Sequence, residues 1–280
     1  MHIPDGFVSL PTSLGAAAVA AGGVGVSVRL IGRTLRERQL PLAGLAAAFI
    51  FVLQMLNFPV AAGTSGHVLG AALAAVLLGP WLAVVVLTTV VAVQALVFAD
   101  GGISALGLNV LNIAVVGVLV GWLVFRGIVA ILPKTARSIV VATAIGAWCA
   151  VVASSAGFAA EYALGGSGAV PATTVLGAMT GVHALIGIGE GIASAAVVAA
   201  VLASRPDLVE GARVVGVRHA TRVKVGPRPI TAFAVVATLV AGFLLAVVAP
   251  RASTAPDGLE RVAVDHGIAG SPAPGTGELP

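Results

Sequence analysis

His67-Val68-Leu69-Gly70-Ala71-Ala72-Leu73-Ala74-Ala75-Val76-Leu77-Leu78-Gly79-Pro80-Trp81-Leu82, with the apolar run that continues to Phe98, decides the fold of this 280-residue chain. Read as one helix, 67–98 is a single long span. Read as two, it breaks at Gly79-Pro80, because proline lacks an amide proton and clashes inside a helix yet suits its first turn. The charge distribution chooses between them. Of 15 Lys and Arg, 13 fall in three segments, Arg29 to Arg38, Arg126 to Arg137 and Arg205 to Arg228. Basic connecting segments stay on the cytoplasmic side of a membrane. A single 67–98 helix puts Arg126–Arg137 on the outside and the rule fails, whereas a break at Gly79-Pro80 brings all three segments together. The third helix is then short, about 20 Å at about 1.5 Å per residue, against a core of roughly 30 Å. It must be sheltered by its neighbours, with the loop before it dipping into the protein. Irregular backbone at that depth survives only when buried or lining a cavity.

Composition fits this reading. The chain is 59% hydrophobic and 9% charged, with a mean hydropathy of +1.09, far outside soluble globular values. Apolar runs of about 20 residues predict an all-α polytopic membrane protein. Candidate spans are roughly 12–31, 41–58, 67–79, 80–98, 105–125, 138–160, 174–203 and 230–249. The fold expected is a seven-helix bundle with a short third helix, plus one extra C-terminal transmembrane helix and an extracytoplasmic tail. Residues 1–205 form the bundle, 206–229 a basic cytoplasmic linker and 230–280 the appended span and tail. Within the tail, Pro256-Asp257-Gly258-Leu259-Glu260 is turn-forming sequence leading into a short helix at 259–265. Residues 270–280 read as disordered. The net charge of +4 is explained by topology and needs no nucleic acid. Cys149 is the only cysteine, so disulfides within the chain are excluded.

The same helix count places the N-terminus, the 59–66 and 99–104 loops and the tail outside. Seven of 11 acidic residues, among them Asp5, Asp100 and Asp257, then face outward. The first span begins near Thr12 without a basic stretch before it, so no cleaved signal peptide is expected and Met1 is retained.

Met1-His2 is a chelator written into the backbone. The terminal amine, the His2 amide nitrogen once deprotonated and His2 Nδ1 close fused rings around one ion. These nitrogens lie nearly in a plane, so one more nitrogen completes a square, the geometry of Ni(II) or Cu(II) rather than of Zn or Mg. Read plainly, His2 is an exposed terminal residue. A histidine on the outer side would complete the set. His219 lies in the basic linker and His266 in the tail. His67 follows Gly63-Thr64-Ser65-Gly66, where glycines permit tight backbone and hydroxyls can support a ligand. Its plain reading is a structural histidine bonded to a neighbour, but a Met-His terminus on the same side favours the ligand reading. The candidate metal ligands are therefore Met1, His2 and His67.

His183 and Glu190 lie seven residues apart on one helical face of the seventh span. They read equally well as functional groups and as a buried polar network, and neither is assigned as a metal ligand. Asn109, Asn112 and Gln94 are further intramembrane polar groups, with Asn109 and Asn112 placed to join helices or buttress the N-terminal strand. The stretch from Gly15 to Gly22, small at every fourth position, allows close helix approach within the bundle or to a partner. No phosphate loop, HExxH, Cys-x-x-Cys or GxSxG motif is present.

Four segments carry a family resemblance: MHIPDGF at 1–7, NFPVAAGTSGHVLGAALAAVLLGPW at 57–81, DGGISALGLNVLNIAVVG at 100–117 and GVHALIGIGEG at 181–191. Together they resemble the CbiM/NikM family, the substrate-capturing membrane components of energy-coupling-factor transporters for cobalt and nickel. The resemblance runs from Met1 to about Arg205. The span at 230–249 followed by PDGLE is similar to the small CbiN/NikN accessory component, here fused to the same chain. The resemblance implies metal binding by the Met1 amine, the His2 backbone and imidazole nitrogens, and His67. It implies a seven-helix fold whose N-terminal segment tucks into the bundle. It also implies a bacterial cell (inner) membrane location and partners that this chain lacks: a transmembrane coupling subunit and two ATPase subunits. No cofactor is expected; the metal is cargo.

A planar nitrogen site leans toward Ni(II), with Co(II) lower in the Irving–Williams order. Two other classes compete. A stand-alone secondary transporter would show broken helices at matching places in both halves, and only Gly79-Pro80 is such a break. A membrane metalloenzyme needs an open coordination position and a general base; Asp5 is the only acid close in sequence to the terminus. The chain is thus expected to be a transport subunit and no enzyme.

Overall fold

The computed structural model describes residues 2–32, 39–61, 64–168, 170–216 and 257–266. Its helices are α1 (Leu10–Ile31), α2 (Gln39–Met55), α3 (Ala71–Leu78), α4 (Pro80–Val97), α5 (Leu106–Ile131), α6 (Ala136–Gly165), α7 (Ala172–Ser204), α8 (Glu210–Val215) and α9 (Gly258–His266). Among the described residues, α1, α4, α5, α6 and α7 are long and apolar enough to cross a membrane. α2 is apolar but shorter.

The decisive break stands where the sequence puts it. Gly79 has φ +85°, a left-handed value that glycine adopts without strain, and Pro80 opens α4. The short helix is shorter still than 67–79: it begins at Ala71, and His67 to Gly70 form irregular backbone before it. Every residue of α3 is buried. It packs against α2, α4, α5, α6 and α7 and shares one buried apolar cluster with Ile50, Leu87, Val91, Ile113, Val118, Val151 and Ile186. In lipid, helix association gains little hydrophobic free energy, because the tails are as apolar as leucine. Small residues that admit close packing supply dispersion contacts instead. The alanines of α3 fit that role.

The second span ends at Met55 rather than 58. A two-stranded ribbon follows, β1 (Phe58–Ala61) antiparallel to β2 (Thr64–Gly66), with Phe58 opposite Gly66 and Pro59 opposite Ser65. This short ribbon is an addition to the helical architecture expected, and it leads directly into His67. α5 contains π-helical turns over Val110–Gly117, a form often found at functional sites.

Residues 206–216 do more than link. After a 3₁₀ turn, α8 packs beneath α3, with Val209, Ala212 and Val215 buried in the same cluster as Leu77 and Phe125. Ion pairs Arg205–Asp207 (2.9 Å) and Arg213–Glu210 mark this polar end. At α1 the face of Gly15 and Gly22 meets no other part of the described structure within 4 Å. The expected span at 230–249 lies outside the described residues, as does His219. The tail helix spans Gly258–His266, one residue longer at each end than 259–265, and His266 is exposed at its terminus.

Candidate metal centre

Two arms converge at the centre. The first is the N-terminal segment, which has no regular secondary structure before α1 apart from an isolated bridge between Val8 and Gly166. Backbone without a ladder must find partners elsewhere, and here the 100–109 region supplies them. The Ile3 amide donates to Asn109 Oδ1 at 2.7 Å, Asn109 Nδ2 donates back to the Ile3 carbonyl at 3.1 Å, and the Gly102 amide donates to that carbonyl at 2.9 Å. Asp5 accepts from the Ser104 amide (2.7 Å), the Ser104 hydroxyl and the Ile103 amide. The Ser104 hydroxyl is the main reason the Asp5 carboxyl is held below its ordinary range; slight burial opposes this, and the amides of Ser104, Ile103 and Ala105 reinforce it. Gly102 is required by proximity: an added Cβ would sit 2.3 Å from the Asp5 nitrogen. Downstream, the Ser9 amide donates to Gly165 (2.7 Å) and the Ser167 amide to Phe7 (3.1 Å). Ile3 and Phe7 are fully buried.

The second arm is the stretch from β2 to α3. Glu190, reaching in from α7, accepts the Leu69 amide at 2.6 Å and the Gly70 amide at 2.8 Å. Gln54 of α2 donates to the Leu69 carbonyl at 2.6 Å. The carboxylate at the start of α3 also suits the positive end of that helix. Glu190, of the two equal readings, thus belongs to a buried network, and the network's function is to hold the segment that carries His67.

The arms bring His2 and His67 together. Their side chains are 4% and 5% exposed, and their rings lie parallel within 8° with centroids 5.2 Å apart. His2 Nδ1 faces Asp100 Oδ1 at 3.2 Å, and among the described residues the buried His2 Nε2 has no hydrogen-bond partner. His67 Nδ1 lies 3.4 Å from the Val68 carbonyl. A carbonyl only accepts, so this contact fits a proton on Nδ1 and a lone pair on Nε2. Met1 lies outside the described residues.

His183, about two helical turns from Glu190, donates from Nδ1 to the Met179 carbonyl at 2.8 Å and is buried. Its ring abuts α9: a Cβ added at Gly258 would lie 3.0 Å from its Cε1. Asn109 buttresses the N-terminal strand as its position allowed, while Asn112 donates to Glu161 at 2.6 Å, deep between α5 and α6. Among the described residues no three His, Cys, Asp or Glu side chains converge on one point.

Three polar contributors escaped the sequence reading. Asp100 was legible as an outward acid in the 99–104 loop, yet nothing local pairs it with His2. Asp257 stands 3.9 Å from His67 Nε2, across 190 positions of sequence. Its one local signal is the D-x-x-E pattern of Asp257 and Glu260, which marks a helix start. Gln54 reads only as a polar residue in an apolar span.

Comparison with known proteins gives a consistent picture. Residues 2–208 match the family model described as CbiM, cobalt uptake substrate-specific transmembrane region. A protein of Haloquadratum walsbyi named for metal transport is 43% identical over 213 residues, covering 75% of this chain and 93% of its own. One of Archaeoglobus fulgidus named as a fused nickel transport protein, NikMN, is 39% identical over 211 residues, 75% of this chain and 68% of its own. The crystal structure of a truncated transition metal transporter superposes with a TM-score of 0.65 at 30% identity, covering 72% of this chain and 99% of the other.

Proposed function

The chain belongs to the CbiM family of cobalt-uptake substrate-specific transmembrane proteins, and from that premise we propose that it captures Ni(II), with Co(II) as second choice, for import. It is a multi-pass membrane transport component of the cobalt and nickel class and not an enzyme. The reading places capture on the outer side and makes the chain the substrate-specific subunit of an ATP-driven energy-coupling-factor importer. A transmembrane coupling subunit and ATPase subunits are its partners. The open small-residue face of α1 is suited to a partner helix at close range.

In this reading the bundle of residues 1–205 crosses the membrane seven times, 206–229 lies in the cytoplasm, and 230–280 adds an eighth span and an outer tail. The membrane is the bacterial cell membrane, with both termini outside. Those assignments rest on the positive-inside count and on the PDGLE pattern.

The observation that carries the reading is the meeting of His2 and His67, buried together where Asn109 grips the next residue, Ile3, by both its amide and its carbonyl. We assign the metal ligands as the Met1 amine, the His2 amide and Nδ1 nitrogens, and a His67 nitrogen. Chelation draws His2 Nδ1 away from Asp100, which a half-turn of the ring about Cβ–Cγ accomplishes. The resulting planar nitrogen set suits Ni(II). Asp100, released from the imidazole, then supplies negative charge beside the bound dication.

The test is metal content and affinity of the purified chain with His2→Ala and, separately, with His67→Ala. Replacing His2 keeps the length of the N-terminal arm but removes the imidazole end of the chelate. Loss of Ni(II) and Co(II) binding in both variants is expected. Undiminished binding in both would sink the assignment and move attention to His183 and Glu190.

A further inference from the structure

The N-terminal arm is fastened to two helices, with little slack between its clamps. On α5, Asn109 holds Ile3 by its amide and its carbonyl. At the end of α6, the Gly165 carbonyl accepts the Ser9 amide at 2.7 Å, Val8 bridges Gly166, and the Ser167 amide donates to the Phe7 carbonyl at 3.1 Å. Only Pro4, Asp5 and Gly6 lie between the two clamps, and proline holds its own φ nearly fixed. A tether that short passes any shift of α6 along α5 to His2, because the chain has no reach to spare.

Little in the packing of α5 on α6 resists such a shift. The facing positions are small. A Cβ at Gly121 would meet Ala150 at 3.4 Å, one at Gly146 would meet the Gly121 carbonyl at 2.7 Å, and one at Gly157 would collide with Asn112 Oδ1. Such closeness supplies dispersion contacts, but glycine and alanine offer no tall ridges to lock one helix in the grooves of the other. Among the described residues, two side-chain hydrogen bonds cross this interface. The Ser154 hydroxyl donates to the Asn112 carbonyl at 2.8 Å, and Asn112 Nδ2 donates to Glu161 Oε2 at 2.6 Å. Asn112 stands within the π-helical turns, about one turn after Asn109, and Glu161 stands about one turn before Gly165. The bond between them thus ties α5 to α6 close behind the two clamps. Asn112 and Glu161 are both buried, so water does not compete for it.

We propose that Glu161 and Asn112 are positioning residues for the metal centre. Their hydrogen bond fixes the register of α6 against α5, and through the two clamps it fixes where the arm presents His2 to His67. They act through the arm and are not ligands. This inference rests on His2 being a ligand.

The experiment is equilibrium binding of Ni(II) alone to the full chain in lipid nanodiscs, with thermal unfolding as a second readout. Glu161→Leu removes the acceptor and is expected to weaken nickel about tenfold. Replacing both partners, Asn112→Leu with Glu161→Leu, leaves no buried polar group unpaired, so it serves should the single variant fold poorly, and the same loss is expected. Glu161→Gln keeps an acceptor for the Asn112 amide without the charge, and should bind within about twofold of wild type. The decisive background is Asn109→Ala, in which the arm is already loose on α5. There Glu161→Leu should cost less than about a further twofold, because the two changes break one linkage. An equal loss in both backgrounds overturns the proposal, since a general folding role would act so. Unchanged affinity in Glu161→Leu also overturns it, as does a tenfold loss in Glu161→Gln, which would make charge rather than the bond the cause. His2→Ala separates this inference from the reading beneath it. If His2→Ala abolishes binding while Glu161→Leu binds as wild type does, only the positioning role falls. If His2→Ala binds as wild type does, the metal centre falls with it.

Discussion

The two histidines at the centre ride on arms built in opposite ways. The His67 arm is deep, and its backbone is held by side chains of distant helices: Glu190 takes two amides and Gln54 one carbonyl, all buried. The His2 arm is as buried at His2 and Ile3, but it is an irregular segment lying across the 100–109 region, with half of its grip, at Asp5, exposed to solvent. The difference separates two kinds of failure. Damage to the deep arm leaves buried polar groups without partners, so it unsettles the fold together with the site. Damage to the N-terminal arm misplaces His2 while the bundle stands.

The largest effect is expected at Glu190. Glu190→Ala leaves the Leu69 and Gly70 amides buried without an acceptor, at about 1–3 kcal/mol each. Thermal unfolding in detergent should fall by several degrees and nickel binding should be lost. An unchanged melting temperature would break the contrast, because it would mean the deep arm is not held by this carboxylate. Asn109→Ala should come next, and differ in kind. It leaves the buried Ile3 amide without its acceptor, at about 1–3 kcal/mol, while the Ile3 carbonyl keeps the Gly102 amide, so the melting temperature should move less than for Glu190→Ala. Nickel affinity should nonetheless drop more than tenfold, since His2 is no longer presented to His67. Asn109→Asp sharpens the point by keeping the acceptor for the Ile3 amide while losing the donor to its carbonyl, and should lie between.

The smallest effect concerns Asp5. Its carboxyl is held below the ordinary range chiefly by the Ser104 hydroxyl, against slight burial and with the help of neighbouring amides. A depressed carboxylate contributes stability that is present above its unfolded value, about 3.9, and is lost as pH falls through the folded value. Hydrogen exchange at Ile103 and Ser104 should therefore quicken only below about pH 4, and Asp5→Asn should quicken it at neutral pH. Metal affinity should respond to acid much earlier, falling steeply between about pH 8 and pH 5, because the amide nitrogen must shed its proton to bind. A flat affinity across that range would remove the backbone nitrogen from the ligand set.

What the sequence reveals follows from how local each cause is. Proline at position 80 excludes a continuous helix from its own covalent structure, so the break was legible. The apolar runs that became α4 to α7 were legible for the same reason. The start of α3 was not, because the residues that would extend it, Leu69 and Gly70, give their amides to a carboxylate 120 and more positions away. The 58–66 ribbon was missed because its strands are three or four residues long and Pro59 reads as loop. Of the centre, the ligand candidates were visible as residue types at a terminus and after Gly-Thr-Ser-Gly. Asp100 and Asp257 were not, since only the folded chain brings each carboxylate to an imidazole.

The most direct test of the account is X-ray absorption at the nickel edge on the loaded, full-length chain. The account predicts a planar, four-coordinate shell of nitrogen atoms at one short distance, with imidazole scattering from two rings. A six-coordinate shell of mixed oxygen and nitrogen would contradict it.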